Sequence, residues 1–391
     1  MTLDTDSIQP LPPGIAVCGD ESAELTRRTY AQQPHAYRSP FARDAARILH
    51  SRAFRRLAGK TQVFTRLAGD PDNNYLSDHF RSRLTHTLEV TQISRTMARA
   101  LGLNAELAEA LALVHDIGHP PYGHAGEKAL DTALKNHGLS FDHNLHALRI
   151  VTWFEERYPA FRGLNLSLGV REGIVKHSRD YAAAEHPELA EYFLDRYPPL
   201  EAQLIDLADE IAYLTADLDD GLDSGILVLD DVRAVVPLFS EFHDAALARY
   251  PNAAPRLAVY EALRRLLNEF VTDLLTEVRA RVTSLGAMRL GDIRLAPQRL
   301  AVLGPRMEPV RVAAKKFLFD SFYNSPSQAE AHIHAAKVVA GIFAALMAEP
   351  ELMPADHQAQ ISSQGLARTV ADYIAGMTDN YIEQMWEQCE R

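Results

Sequence analysis

A chain of 391 residues that is 47% hydrophobic and 24% charged has ample apolar material for a core and the ordinary balance of a globular protein, in one large or two ordinary domains. Its net charge of −12 argues against a nucleic-acid surface spread over the whole molecule. Two cysteines near opposite ends, Cys18 and Cys389, argue against a disulfide framework, and no apolar run approaches the ~18 residues of a membrane span. The acidic, proline-bearing start of the chain lacks the basic and apolar stretches of a secretion signal, so a cytoplasmic protein without membrane contact is expected.

Residues 1–37 read as a Pro-rich, mostly extended N-terminal arm with a helical turn over 21–28. Ala45, Ile48, Leu49, Ala53 and Leu57 recur at 3–4 spacing and predict a helix over 41–57. A short extended piece over 60–64 and a loop over 69–74 follow. A long helix over 81–101 turns Leu84, Leu88, Thr91, Met97 and Leu101 inward and stops at Gly102. Asn104 caps the next, over 105–116, and Gly118 with Pro120 and Pro121 ends it. Further helices are predicted over 125–136, 141–153, 168–177, 200–218, 256–285, 308–322, 329–348 and 366–386, with 226–238 left open. Strand signals are few, so the fold class is all-α. Three regions are expected: the arm, a core over 38–240, and a C-terminal helical region over 241–391 packed on that core. Between Arg38 and Arg66, eight Lys/Arg stand against one acid, Asp44. That run is either a solvated basic face or a local phosphate-binding wall.

Chemistry concentrates where histidines do. Six of the sixteen fall between His115 and His146, denser than a core requires. His115 and Asp116 leave one helix end together. With His86 on the long helix and Asp209 on the 200–218 helix they make a mixed nitrogen and oxygen set for one metal. Open positions would remain for water and substrate, and such a set suits Mn²⁺, Mg²⁺, Fe or Co²⁺ better than a closed structural zinc. A single histidine on an amphipathic helix is ordinarily a core or surface residue, and the set of four becomes specific only with the residues that flank it.

Arg83 lies one turn before His86, placed to hold a phosphate. Asp209, Tyr213 and Asp217 share a helix face at i, i+4, i+8, where a ring can stack on a sugar and a carboxylate can accept from a hydroxyl. His124 and Glu127, at i, i+3, fit an imidazole oriented by a carboxylate for acid–base work. His119, between the metal pair and His124, either donates to a phosphate oxygen or caps the turn.

These residues resemble those of the HD-domain phosphohydrolases, and more narrowly the dGTP triphosphohydrolase (dGTPase-like) family. The resemblance rests on Arg83-Leu84-Thr85-His86, His115-Asp116-Ile117-Gly118-His119-Pro120-Pro121-Tyr122-Gly123-His124, Phe141-Asp142-His143-Asn144 and Asp206-Leu207-Ala208-Asp209-Glu210-Ile211-Ala212-Tyr213. Two narrower runs add to it: Arg55-Arg56-Leu57 with Lys60-Thr61-Gln62, and Asp372-Tyr373-Ile374-Ala375-Gly376-Met377-Thr378-Asp379. It implies a multi-helical HD fold with added C-terminal helices and a divalent metal (Mn, Mg or Co) on His86, His115, Asp116 and Asp209. It also implies catalytic roles for His124, Glu127 and His119. Gln62, Tyr213 and Asp217 would contact the deoxyribose, and Arg83 the phosphates. The implied reaction is dNTP plus water to deoxynucleoside and tripolyphosphate, in a homo-oligomer that is often a hexamer. A second dNTP or single-stranded DNA is a further partner in that picture. One departure stands out: where relatives often carry Tyr-Arg-His, this chain has Tyr323-Asn324-Ser325-Pro326-Ser327. Two other functions compete, a deoxynucleoside 5′-monophosphatase and a non-catalytic binder of nucleotide or single-stranded nucleic acid.

Overall fold

A computed structural model describes residues 9–17, 22–63 and 81–389. The loop expected over 69–74, and Phe64, Arg66 and Cys18, lie outside the described residues. Regular structure is almost entirely helical, and the described residues form β pairs only as three isolated bridges. The all-α class follows from the repeated 3–4 spacing of apolar residues.

The chain divides into two compact units, each built from three separate stretches. The first comprises Met1–Ala45, Leu88–Ala112 and Ser167–Ser325. The second comprises Ala46–Thr87, Leu113–Leu166 and Pro326–Arg391. This division runs across the contiguous regions 1–37, 38–240 and 241–391, because helices distant in sequence close each core.

In the first unit the long helices Leu200–Asp223 and Pro255–Leu285 pack together, with Pro237–Arg249 against the latter. Phe239, Leu266 and Phe270 are buried there. The segment left open over 226–238 is helical, as Leu229–Val235 and the start of Pro237–Arg249. Its break falls at Val236–Pro237, since a proline is tolerated only at a helix start. The arm is not extended throughout. Leu11, Ile15 and Val17 are buried, and the amides of Val17 and Asn104 both donate to the buried Glu201 carboxylate at 2.9 and 3.0 Å.

The second unit is organised on the helix Pro326–Ala348, which packs against Gly123–Lys135, Leu366–Ala375 and Asp379–Cys389. Val338, Ile342, Phe343, Leu130, Val370 and Ile374 meet in its core. Each such side chain contributes about 1.5–3 kcal/mol on burial. Contrary to the expectation that no segment would qualify, Pro326–Ala348 is long and apolar enough to cross a membrane by length and composition. Its apolar residues instead line this core.

Four predicted helices are interrupted, among them that over 308–322, which passes at Leu318 into a π-turn over Phe319–Tyr323. The one over 41–57 stops at Leu49 and restarts as Arg52–Arg56, because Ser51 turns extended and its side chain accepts the Phe54 amide. The one over 366–386 breaks at 376–378 into Leu366–Ala375 and Asp379–Cys389. The one over 141–153 begins at His143, capped by Asp142, and widens into a π-turn over Ile150–Phe154.

Candidate functional site

The centre of the second unit is the turn that follows the helix Ala105–Val114. His115 and Asp116 leave that helix end together, as their adjacency implies. His86, in the first turns of Arg83–Ala100, meets them: ligand atoms of His86, His115 and Asp116 all lie within 4.8 Å of one another, and all three residues are buried. The two imidazole centroids are 5.7 Å apart. Two imidazoles and a carboxylate so placed fit a divalent cation. Asp209, the fourth expected ligand, belongs to the first unit, on Leu200–Asp223. Its Oδ2 is 3.8 Å from His177 Nε2, while His177 Nδ1 lies 2.8 Å from Asp206 Oδ1.

Asp116 is the best-connected group in the turn. Arg83 Nη1 donates to its Oδ2 at 2.9 Å, and His119 Nδ1 lies 3.0 Å from its Oδ1. Burial pushes the carboxyl pKa up, but Arg83, His115 and His119 outweigh it and hold the group well below the usual range. His119 is itself buried beside Arg83, which holds its pKa well below 6.5 and keeps the ring neutral. Its ring stacks on His143 with centroids 4.0 Å apart.

The turn is held from behind. Gly118 lets the helix His143–Arg149 approach, since a Cβ there would fall 1.9 Å from the His143 carbonyl oxygen. Tyr122 adopts φ +60°, a left-handed conformation that costs a non-glycine residue about 1–2 kcal/mol. Its neighbours enforce it. The Tyr122 amide donates to Asp379 Oδ1 at 3.0 Å, and its hydroxyl donates to Glu383 Oε1 at 2.7 Å. Asp379 Oδ2 also accepts the Thr61 amide at 2.8 Å and the Thr61 hydroxyl. Lys60 Nζ donates to the carbonyls of His119 and of Ala375. The two narrow sequence runs, at residues 55–62 and 372–379, therefore brace this turn. Because the Arg83 amide donates to the Lys60 carbonyl at 3.0 Å, they also set Gln62 near the start of the His86 helix. Gln62 Oε1 has no hydrogen-bond partner among the described residues.

The helix Gly123–Lys135 starts at the turn, so His124 and Glu127 share its first turns. His124 Nδ1 lies 3.3 Å from Glu127 Oε2, and the His124 side chain is 72% exposed. Glu127 has a second partner that the sequence reading missed: its Oε1 lies 2.8 Å from His143 Nδ1 and accepts the His143 amide at 3.1 Å. Burial pushes the Glu127 pKa up, but the bonds from His124 and His143 override this and hold it far below the usual range. The signal for His143 lay in Asp142, whose side chain accepts the amides of Asn144 and Leu145 and so fixes His143 at the first position of its helix.

In the first unit, Tyr213 and Asp217 line one face of Leu200–Asp223, as their spacing implies. A third residue joins them. The Tyr323 hydroxyl donates to Asp217 Oδ2, and its ring centroid is 5.7 Å from that of Tyr213. Burial and the Asp217 charge raise the Tyr323 pKa well above 10. Tyr323 comes from the π-turn Phe319–Tyr323, an irregularity that apolar spacing does not reveal.

Comparison with known proteins gives the family. The HD domain profile matches residues 83–214, and the phosphohydrolase-associated domain matches 301–388. A deoxyguanosinetriphosphate triphosphohydrolase-like protein of Thiobacillus denitrificans is 42% identical over 372 residues, covering 95% of this chain and 96% of the relative. Proteins of the same name from Azoarcus sp. and Brucella suis are each 43% identical, over 90% and 88% of this chain and 90% and 87% of the relatives. The chain belongs to the deoxyguanosinetriphosphate triphosphohydrolase-like family of HD-domain phosphohydrolases.

Proposed function

We propose that this protein hydrolyses deoxynucleoside triphosphates between the 5′-oxygen and the α-phosphorus, releasing deoxynucleoside and tripolyphosphate. The observation that carries the reading is the meeting of His86, His115 and Asp116 beside Arg83 and His119, in a chain whose relatives bear the triphosphohydrolase-like name.

His86, His115 and Asp116 would hold the divalent metal, with Asp209 as the fourth ligand that the family resemblance supplies. When bound, such an ion polarises a phosphoryl oxygen and makes water more acidic. Arg83, a guanidinium already desolvated, would bind a phosphate oxygen as a fork. His119 is kept neutral, so it would hydrogen-bond a phosphate without adding charge. His124, its Nδ1 turned to Glu127, keeps Nε2 to move a proton. As the water oxygen bonds to phosphorus and the bond to the 5′-oxygen breaks, that proton goes to the 5′-oxygen. Gln62, whose side-chain oxygen is unpartnered among the described residues, and Tyr213 and Asp217 are the groups proposed for the deoxyribose.

Hydrolysis of dGTP in ¹⁸O-labelled water tests the bond that breaks. The label is expected in tripolyphosphate and absent from the deoxynucleoside. Label in orthophosphate, with a deoxynucleoside diphosphate or monophosphate as co-product, would overturn the reading.

A further inference from the structure

The second unit contains a cavity of about 480 Å³ behind the HD turn, which none of the chemistry above uses. Its walls draw on the two narrow sequence runs, the π-turn Ile150–Phe154 and their neighbours, among them Arg52, Arg56, Lys60, Phe154, Glu155 and Tyr373. The space is that of a nucleotide-sized molecule rather than of a few waters.

Three features of the wall call for a ligand with two poles. At the mouth, Arg52 and Arg56 are exposed, and neither has a hydrogen bond or an ion pair among the described residues. Arg56 lies over bare backbone, since a Cβ at Gly376 would be 3.1 Å from its Nη1. These two guanidiniums offer forks to one phosphoryl group. Beside them Glu155 is only 4% exposed; its Oε1 accepts the Ala53 amide at 2.8 Å, and its Oε2 has no hydrogen-bond partner among the described residues. His357 Nδ1 is likewise unpartnered among the described residues. A buried carboxylate oxygen without a donor costs about 1–3 kcal/mol, which a ligand N–H or O–H would recover. Phe154, Tyr373 and His357 also line the cavity, the last two with ring centroids 4.7 Å apart.

Charge limits the ligand further. Asp356 and Glu155 both line the cavity, so a triphosphate would meet negative charge beside the two arginines, whereas Asp372 is already paired with Arg149 at 2.6 Å. We propose that this cavity binds a phosphate monoester with a planar, donor-bearing ring, in the class of nucleoside 5′-monophosphates. The phosphate would sit on Arg56 and Arg52, and the ring edge would reach Glu155. The inference does not depend on the reaction assigned to the HD centre.

Isothermal titration of the full-length, metal-loaded protein with dGMP, dAMP, 2-deoxyribose 5-phosphate and inorganic phosphate tests it. A monophosphate nucleotide is expected to bind more tightly than the sugar phosphate or phosphate alone. R56Q is expected to weaken that binding about 10-fold or more, while R83Q, at the HD centre, leaves it within about twofold. R56Q removes no existing pair; should it nevertheless fail to fold, R52Q gives the same reading with a smaller loss. No binding of any probe, equal affinity for all four, or loss in R83Q with none in R56Q or R52Q would each overturn the proposal.

Discussion

Arg83 Nη1 donates to Asp116 Oδ2 at 2.9 Å, and neither side chain is more than 6% exposed. The pair holds the carboxylate ionised and turned toward His86 and His115 in a part of the protein where a lone charge would be costly. Arg83→Ala removes the cation and leaves the buried carboxylate to its histidine neighbours. A stability loss of about 3 kcal/mol is expected, read from urea unfolding of the metal-free protein at pH 7. A loss below about 1 kcal/mol would show that His119 and His115 suffice.

His124→Ala should keep metal and nucleotide binding while lowering kcat by roughly 10²–10⁴-fold. His143→Ala should lower kcat less, by about tenfold, because His124 keeps its own contact with Glu127. Metal analysis and steady-state kinetics separate the two. An unchanged kcat with a raised KM for His124→Ala would reduce that histidine to a contact.

Asp379→Asn probes the brace behind the turn. Asp379 accepts two amides and a hydroxyl, so an amide group in its place sets a donor against donors. A cost of about 2 kcal/mol is expected, with a lower kcat as Tyr122 leaves its left-handed conformation. Thermal unfolding and kinetics check both parts, and a variant of native stability and full kcat would remove Asp379 from the account.

Lys60 gives a pH signature. Burial lowers its ammonium pKa from 10.5 to about 7, with Asp379 acting in the opposite direction. Between those values the unfolded chain binds the proton and the folded chain has released it. The Lys60 contribution to stability therefore rises with pH from about 7 to 10.5, by at most about 1.4 kcal/mol per pH unit. Urea midpoints at pH 7, 8 and 9 should show wild type gaining on Lys60→Met. A difference that is flat or falls with pH would contradict the burial argument.

Much of this was legible in the residues. Apolar spacing gives the all-α class and most helices, since a helix face must be apolar to pack. It does not see interruptions such as Ser51, where the spacing from Leu49 to Ala53 and Leu57 continues across a break made by one side-chain cap. The pairing of His115 with Asp116 was legible because the two leave one helix end together, whereas the place of His86 beside them, on another helix, rested on the flanking motifs that carry the family resemblance. His143 and Tyr323 escaped because their positions depend on a capping aspartate and a π-turn, local geometries without a periodic signature. The run at residues 372–379 marked the family by its identity, but its contacts with Lys60, Thr61 and Tyr122 cross over 250 residues of chain. No spacing rule reaches that far.

The most direct measurement is product identification by ³¹P NMR after incubating each of the four dNTPs, alone and mixed, with Mg²⁺, Mn²⁺ or Co²⁺. Asp116→Ala is the matched control, expected to lose metal and turnover together. The account predicts deoxynucleoside and intact tripolyphosphate from at least one dNTP with the wild-type protein, and neither with the variant. Orthophosphate or pyrophosphate with a deoxynucleotide co-product in place of tripolyphosphate, or equal turnover by Asp116→Ala, would contradict it.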